Sequence, residues 1–450
     1  MKIAVIGAGI SGLSCAWQLE RLFAARGGHD HVTLFESNSY FGGHSNTVDI
    51  GFHTANGFVS HGVDTGFLVF NPRTYPQLVQ LFKDLDVPVA KSEMSFAVSL
   101  PDFDLEWAGG NLDTVFAQRR NLLNPPFLRM LRDIMRFNRL TTRLAASGEL
   151  DYLPLTLGEF LDQHHFSAEF RDWYFLPMAG CIWSCPPAQM RHFPVSTMIR
   201  FCHNHGLLQV SDRPQWRTVR GGSREYVRRM LAQISDARLD PVLAVRRPAE
   251  NGSTGVHIYS AAGLEVFDEV VFACHSDQAL ALIKDPTEQE RLVLGDVQYQ
   301  QNRAVLHTDQ ALLPVRKKVW SAWNYTSQAR PSETGGEPTT QVCVHYLINR
   351  LQPLPAAWGD QAVIVSLNPV TQPAPESVLR EFDYAHPVFD EKAMAAQREL
   401  PRLQGRRHTW FCGAWTGYGF HEDGLRSGLD AARHVAALAD LAQPTLRKVA

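Results

Sequence analysis

Three glycines near the start of the chain have the spacing of a phosphate-binding turn. The hexapeptide GAGISG follows the apolar run KIAVI and precedes a stretch with helical periodicity. Gly7 would make the tight turn, Gly9 would let a pyrophosphate approach the backbone, and Gly12 would let the helix pack closely. Ile10 and Ser11 begin the helix, whose free N–H groups would face the phosphates. The order of strand, glycines and helix predicts a dinucleotide-binding unit.

A carboxylate ends the next strand pattern. HVTLFE at 31–36 ends in Glu36 and is followed by Ser37. A carboxylate at this strand end can bind both hydroxyls of an adenosine ribose. A lone GxGxxG is often only a glycine-rich turn, but strand, turn, helix, second strand and acid occur here in the required order. We therefore expect an α/β Rossmann domain with Glu36 and Ser37 among its cofactor contacts.

A second pair of glycines indicates which dinucleotide is bound. Gly42 and Gly43 lie six and seven residues after Glu36, with His44 beside them. This pattern resembles the glutathione-reductase-like FAD proteins, in the branch of flavin amine oxidases and carotenoid desaturases. That branch usually carries arginine where this chain has Tyr40, and often where it has His44, which weakens the case for a charged pyrophosphate clamp. A hairpin turn is the alternative for the glycine pair taken alone.

Further cofactor contacts are implied by the resemblance alone. In the family an Asp-x-Gly segment turns beneath the isoalloxazine, and VDTGF at 63–67 is similar to it. This implies contacts from Thr65, Gly66 and Phe67. A strand that passes the adenine has its equivalent near Val242. No cysteine or histidine stands in a recognisable attachment motif, so we expect FAD to be bound non-covalently.

The stretch GYGFHEDG at 417–424 gathers glycines, aromatic residues, a histidine and two carboxylates near the end of the chain. A strand pattern precedes it and the helical pattern LRSGLDAARH follows. In the resembled family this is the last FAD motif, and its helix N-terminus stabilises negative charge on reduced flavin. The amine oxidases carry glutamate where this chain has Ala414. The alternative is a helix cap by one of the carboxylates. The implied contacts are Gly413, Glu422, Asp423, Gly424 and Leu425.

Length and pattern predict two intertwined domains. A chain of 450 residues is too long for one simple core. We expect a discontinuous, glutathione-reductase-like FAD domain at 1–95, 205–280 and 385–450. The inserts at 96–204 and 281–384 would form an α+β substrate domain, as in amine oxidases.

Composition excludes several classes of function. The formal net charge is -3, and no motif for nucleic acid occurs, so we expect no nucleic-acid partner. The seven cysteines form no CxxC pair, which favours reduced thiols in the cytoplasm and no metal site. No apolar run reaches about eighteen residues, so no transmembrane helix is expected. The oligomeric state stays open.

The end-to-end resemblance is to a bacterial subgroup with GFHEDG and DTGFLVFN motifs, whose members are often linked to methylation or desaturation of fatty acyl chains. It implies an FAD-dependent oxidoreductase that removes a hydride from a C–H bond of a lipid, with desaturation of a fatty acyl chain, including a methylated one. Oxidation of a small amine or polyamine is an alternative, and a non-catalytic flavoprotein is another.

Few residues are candidates for the chemistry. Tyr418 and His421 belong to the flavin-closing loop, and the unperturbed pKa of histidine suits a base for the second proton. A histidine bonded to backbone at the helix start is an equal alternative for His421. Trp183, Trp320 and Trp323 lie in the inserts, where plain core packing is the usual role of tryptophan.

The stretch FLRMLRDIMRFNRLTTRL at 127–144 predicts an amphipathic helix with a basic face. At about 100° per residue its five arginines share an arc of roughly 80°. Such a helix suits an anionic membrane surface, which would place the protein at the inner membrane face as a peripheral partner. The alternative is a solvated arginine face above a buried core face. The arginines are Arg129, Arg132, Arg136, Arg139 and Arg143.

Overall fold

The secondary structure is mixed throughout the part of the chain that the computed structural model describes, which is residues 1–27, 30–183, 190–204, 206, 214–248, 255–330 and 339–441. The strands, in chain order, are β1 (Lys2–Ile6), β2 (His31–Phe35), β3 (Thr47–Thr54), β4 (Gly57–Asp64), β5 (Val89–Lys91), β6 (Phe96–Leu100), β7 (Leu105–Ala108), β8 (Arg217–Val219), β9 (Asp236–Arg238), β10 (Val242–Arg246), β11 (Val256–Ser260), β12 (Gly263–Phe267), β13 (Glu269–Phe272), β14 (Tyr299–His307), β15 (Trp323–Arg330), β16 (Thr339–Leu347), β17 (Ile364–Leu367), β18 (Val378–Pro387) and β19 (Thr409–Phe411). The α-helices are α1 (Ile10–Arg26), α2 (Pro76–Asp84), α3 (Leu112–Val115), α4 (Pro125–Ser147), α5 (Leu157–Gln163), α6 (Ala168–Phe170), α7 (Leu176–Trp183), α8 (Val195–Asn204), α9 (Arg224–Leu231), α10 (Ser276–Leu282), α11 (Glu288–Gly295), α12 (Ile348–Leu351), α13 (Glu391–Glu399) and α14 (His421–Leu441).

Five short strands form a parallel sheet in the order β19-β13-β1-β2-β9. Four consecutive residues of β1 are buried, as expected of a strand that is covered on both faces. The register pairs Ile3 with Glu269 on one side and Lys2 with His31 on the other. This sheet, with α1 directly after β1, confirms the predicted Rossmann-type α/β fold.

The two ends of the chain meet on this sheet, because α1 and α14 pack side by side. A Cβ added at Gly428 would lie 2.1 Å from the carbonyl oxygen of Ser11, and one at Gly424 would lie 2.8 Å from Cγ2 of Ile10. Glycines at these two positions therefore permit the close contact of the helices. It brings the loop before α14 to the N-terminus of α1.

A second, seven-stranded sheet has the order β18-β14-β17-β16-β15-β6-β7. Its pairs are antiparallel, except that β15 runs parallel to β6. Strands β10, β11 and β12 form a small antiparallel sheet. The domain boundaries themselves stay a prediction.

Helix α4 contains the whole arginine-rich stretch. Pro125 is its first residue, and Asn124 accepts a hydrogen bond from the backbone N–H of Phe127 at the N-terminus. Phe127, Met130 and Phe137 are buried at 0%, 0% and 1% exposure. The predicted amphipathic helix is therefore confirmed. No helix among the described residues is long and apolar enough to span a bilayer.

Candidate active site

A cavity of about 1240 Å³ runs between the parallel sheet and the seven-stranded sheet. Its walls come from segments as far apart as Gly7 and His421. One part is lined by the glycine-rich turns and the chain that follows β13, and the other part by aromatic side chains of the second sheet and its helices. No lysine or arginine lines the cavity within the described residues.

The first glycine turn forms the floor of the polar part. Gly7 has a φ of 101°, which favours glycine. A Cβ at Gly12 would lie 1.8 Å from the carbonyl oxygen of Gly7, whereas a Cβ at Gly9 would meet no protein atom within 4 Å. Gly12 thus serves the contact of helix and strand and does not line the cavity, while Gly9, Ile10 and Ser11 do. The open space at Gly9 lies at the N-terminus of α1, where a pyrophosphate would be stabilised.

The carboxylate of Glu36 is fixed at the end of β2. One oxygen accepts a hydrogen bond from the backbone N–H of Ala8 and the other from that of Asn38, both at 2.8 Å. Glu36 is 5% exposed and lines the cavity together with Ser37. This position, one strand away from the glycine turn, fits the hydroxyls of a ribose.

The second glycine pair packs directly on the first turn. Gly42 has a φ of 119° and donates its N–H to the carbonyl of Ala8 at 2.9 Å. A Cβ at Gly43 would lie 3.2 Å from Cα of Gly9. His44 follows, and its Nε2 is buried without a hydrogen-bond partner among the described residues. All three line the cavity beside the open floor.

The segment after β4 lies against His44. Thr65 donates its N–H and its hydroxyl to the carbonyl of Asn46, both at 3.0 Å, and Phe67 donates its N–H to the carbonyl of His44 at 2.7 Å. Gly66 passes so close that a Cβ would lie 2.3 Å from that same oxygen. The three predicted residues Thr65, Gly66 and Phe67 line the cavity.

The loop before α14 closes the cavity, but its carboxylates serve other contacts. Gly413, Tyr418 and His421 line the cavity, whereas Glu422, Asp423, Gly424 and Leu425 do not. The carboxylate of Glu422 accepts hydrogen bonds from the N–H groups of Gln77 and Leu78 at 2.8 and 3.0 Å, so it caps α2. Asp423 accepts from the N–H groups of Tyr418 and Phe420 at 3.0 and 3.2 Å and thereby shapes the loop. Neither carboxylate reaches the cavity. Val242, at the first residue of β10, does not line the cavity either.

The surroundings of His421 do not favour a base near neutral pH. Its ring stacks on Phe67 with centroids 3.9 Å apart, and its Nε2 is 2.8 Å from the hydroxyl of Tyr226. Burial, with a smaller effect from His44, lowers the pKa of His421 to about 3. The imidazole is therefore neutral at physiological pH and has little affinity for a proton.

The other part of the cavity is apolar and aromatic. It is lined by Phe96, Trp107, Tyr174, Met178, Trp323 and Tyr346. Trp320 is not part of this wall, because its Nε1 donates to the carbonyl of Pro314 at 2.7 Å. The side chain of Trp183 lies outside the described residues. Of the three candidate tryptophans, the structure places Trp323 at the cavity.

Several lining residues were missed by the sequence analysis because distant strands supply them. His386, near the end of β18, lies 5.2 Å from His44 between ring centroids. The amide Nδ2 of Asn302 on β14 donates to its Nδ1 at 3.2 Å, so Nε2 carries the ring proton. Burial, with a smaller effect from the neighbouring His44, lowers the pKa of His386 to about 3.

These features together fit FAD. The open floor at Gly9, the helix N-terminus behind it, the fixed carboxylate of Glu36 and the buried His44 lie along one continuous cavity. Backbone N–H groups and the helix dipole supply the positive potential that arginines supply in the resembled family, at the positions of Tyr40 and His44.

Cys274 also lines the cavity. Burial raises its pKa to about 12, which suppresses the reactive thiolate.

The sequence matches a known family over almost its whole length. The family model described as flavin containing amine oxidoreductase covers residues 10–436. No curated protein matches the chain in sequence.

Solved structures with the same fold match nearly end to end. A CLA-producing fatty acid isomerase from P. acnes is 15% identical, with a TM-score of 0.64 over 96% of this chain and 98% of that one. Cyclohexylamine oxidase from Brevibacterium oxydans IH-35A is 14% identical, with a TM-score of 0.65 over 98% and 99%. Putrescine oxidase bound to putrescine is 15% identical, with a TM-score of 0.65 over 97% and 99%.

Proposed function

The chain belongs to the flavin-containing amine oxidoreductase family, and we propose that it oxidises a C–H bond in the acyl chain of a lipid. As a member of that family it is an FAD-dependent oxidoreductase. The outcome we propose is desaturation of the acyl chain, and methylated acyl chains are among the candidate substrates.

The observation that supports this proposal most is the apolar wall of the cavity. Phe96, Met178 and Tyr346 lie on it. An acyl chain is bound through its methylene groups, each of which contributes about 0.8 kcal/mol when buried. A wall of apolar and aromatic side chains favours a long carbon chain over a small polar substrate.

Desaturation removes a hydride from one carbon and a proton from its neighbour. FAD, when bound, would supply the two-electron acceptor for that hydride. The aromatic wall would hold the carbon chain and exclude water. Tyr418 lines the cavity, and its oxygen would take that proton as the phenolate. His386 would donate a hydrogen bond from Nε2, because Asn302 occupies its Nδ1.

Oxidation of an amine is the second candidate. Two of the structural neighbours are named as oxidases of putrescine and cyclohexylamine, whereas the P. acnes neighbour is named as a fatty acid isomerase. At 15% identity or less these likenesses speak for the fold, so they support either substrate class equally. The composition of the cavity wall is what favours the lipid.

Anaerobic bleaching of the bound flavin separates the two candidates. The purified yellow protein is mixed with bacterial phospholipid in detergent micelles, and separately with an amine panel that contains putrescine and cyclohexylamine. We expect the oxidised flavin bands to fade with lipid and to persist with amines. Bleaching by amines alone would contradict the proposal and assign the protein to the amine oxidases.

A matched pair of tryptophan variants tests the role of the wall. Trp323→Ala removes a side chain that lines the cavity, and Trp320→Ala removes one that does not. We expect Trp323→Ala to slow lipid-dependent bleaching at least about tenfold, which corresponds to about 1.4 kcal/mol. Trp320→Ala should change the rate less than about twofold. Equal effects of both variants would show that the apolar wall does not hold the acyl chain.

A further inference from the structure

We propose that the exposed face of α4 and the turn before it dock on an anionic lipid bilayer. This α4 surface consists of Leu122, Leu123, Leu128, Met135 and the arginines Arg129, Arg132, Arg136, Arg139 and Arg143. The role we give this surface is the delivery of lipid to the cavity, and that role rests on the proposed function. Its binding to a bilayer is an independent property that can be measured without turnover.

The charge of this surface is opposite to that of the molecule. Helix α4 carries five arginines and one carboxylate, Asp133, and therefore a net charge of 5 − 1 = +4, whereas the whole chain carries -3. Asp133 is buried at 1% exposure and lies 3.5 Å from Arg136. Arg139 and Arg143 are exposed and have no carboxylate within 4 Å among the described residues. Concentrated positive charge attracts the anionic surface of a membrane.

Large apolar side chains are exposed among these arginines. Leu123 is 88% exposed, Met135 52%, Leu122 49% and Leu128 42%. At about 100° per residue, Leu128 falls within roughly 40° of both Arg132 and Arg139, opposite the buried Phe137. A helix that presents apolar and basic side chains on one face binds in the interfacial region of a bilayer, where both kinds find partners.

The same helix lies directly behind the apolar wall of the cavity. Phe127, on its buried face, packs edge to face against Trp107 with ring centroids 6.2 Å apart. Trp107 lines the cavity. A bilayer docked on the α4 surface would therefore be separated from the apolar part of the cavity by the thickness of one helix.

The apolar side chains favour a bilayer over a nucleic acid. A polyanion such as RNA would be bound by the arginines alone, because its contacts with a basic helix are chiefly to phosphates. Leu122 and Leu123 would contribute nothing there, whereas each would gain from entering the interface of a membrane. The two ligands therefore predict different responses to loss of the leucines.

Vesicle co-sedimentation with the FAD-loaded protein tests the proposal. Vesicles of phosphatidylglycerol and phosphatidylcholine are compared with phosphatidylcholine alone. One variant replaces Arg132, Arg139 and Arg143 by glutamine, and a second replaces Leu122 and Leu123 by serine. A matched control replaces three exposed arginines of other elements, Arg246, Arg291 and Arg398, by glutamine, and so changes the net charge equally.

We expect the wild type to sediment with the anionic vesicles only. Both α4 variants should bind them at least about tenfold more weakly, and the control should remain within about twofold of the wild type. Equal binding by wild type and α4 variants overturns the proposal, and so does equal loss in the control. If the arginine variant loses vesicle binding and the leucine variant keeps it in full, the result overturns bilayer docking and indicates a simple site for polyanions. Bleaching by lipid in micelles is measured on the same proteins, and its persistence without vesicle binding would refute docking while leaving the proposed function intact.

Discussion

Gly9 and Gly12 belong to the same glycine motif, but the space around their Cα atoms differs in the structure. A methyl group at Gly9 would meet no protein atom within 4 Å, yet it would fill the floor of the cavity. Gly9→Ala should therefore leave the free energy of unfolding of the cofactor-free protein unchanged. It should weaken FAD binding at least about tenfold, or about 1.4 kcal/mol. Urea unfolding and titration of flavin fluorescence measure the two effects.

Gly12→Ala is the contrasting variant. Its Cβ would lie 1.8 Å from the carbonyl oxygen of Gly7, so helix and strand would have to separate. We expect it to lower the free energy of unfolding by about 1–3 kcal/mol, as overpacking does. If Gly9→Ala destabilised the apoprotein to the same extent, or bound FAD normally, Gly9 would not be the floor of the cofactor site.

Residues of the site could be predicted where the chemistry is local. The glycine turn and Glu36 lie within 30 residues of each other, and each has a function that its own neighbours define. His386 could not be found in this way, because its role depends on Asn302, which is 84 residues away in sequence. The low pKa of His421 also follows from burial by distant segments, and the sequence alone suggested an ordinary histidine.

At the scale of the element, the second sheet contains a buried polar ladder across three strands. His307 on β14, Ser366 on β17 and His345 on β16 are at most 3% exposed. The N–H of Asp309 donates to Nδ1 of His307 at 3.1 Å, so Nε2 of His307 donates to Oγ of Ser366 at 2.6 Å. The hydroxyl of Ser366 in turn donates to Nδ1 of His345 at 2.6 Å. Because Nδ1 of each ring accepts a hydrogen bond, both imidazoles must be neutral.

This ladder predicts a loss of stability in acid. Burial is the main cause that lowers the pKa of His307 to about 4 and that of His345 to about 3. In the unfolded chain both would have pKa values near 6.5, so below that pH the unfolded state binds protons that the folded state does not. Each histidine then lowers the free energy of unfolding by about 1.4 kcal/mol per pH unit, from about pH 6.5 down to its folded pKa.

Urea unfolding between pH 7 and pH 5 measures this slope. A His307→Gln, His345→Gln double variant should be less stable at pH 7, where the ladder is intact, but should show a shallower dependence on pH. A variant at His53, which is exposed and lies outside the ladder, should keep the wild-type slope. An unchanged slope in the double variant would show that other groups carry the acid sensitivity.

The elements themselves were predictable where one face of a helix or strand is buried. The period of apolar residues in α4 gives its buried face correctly, and the Pro-Pro pair marks its start. The partner of Glu422 was not predictable. It caps α2, more than 340 residues away, since Tyr75 provides no side-chain cap there. A cap supplied by another element leaves no signal in the sequence next to the helix.

At the scale of the molecule, the two large sheets share one hydrophobic core. A single cluster of buried residues contains Val5 and Val271 of the parallel sheet together with Leu306 and Val365 of the seven-stranded sheet. The predicted boundaries separate the chain into two domains, yet no gap in packing separates these four residues. A shared core couples the unfolding of the parts it joins.

We therefore expect one cooperative transition in calorimetry, and we expect FAD to move all of it. A ligand that binds only the folded state stabilises it by about 2.7 kcal/mol at a free concentration of 100 times its Kd. Because the cavity is lined by both sheets, removal of FAD should lower the midpoint of the whole transition and should not release one part first. Scans of holoprotein, apoprotein and the Gly9→Ala variant with added FAD test this, and the variant should resemble the apoprotein at subsaturating FAD. Two transitions, of which FAD moves only one, would mean that the parallel sheet folds as a unit of its own and that the shared core contributes little to cooperativity.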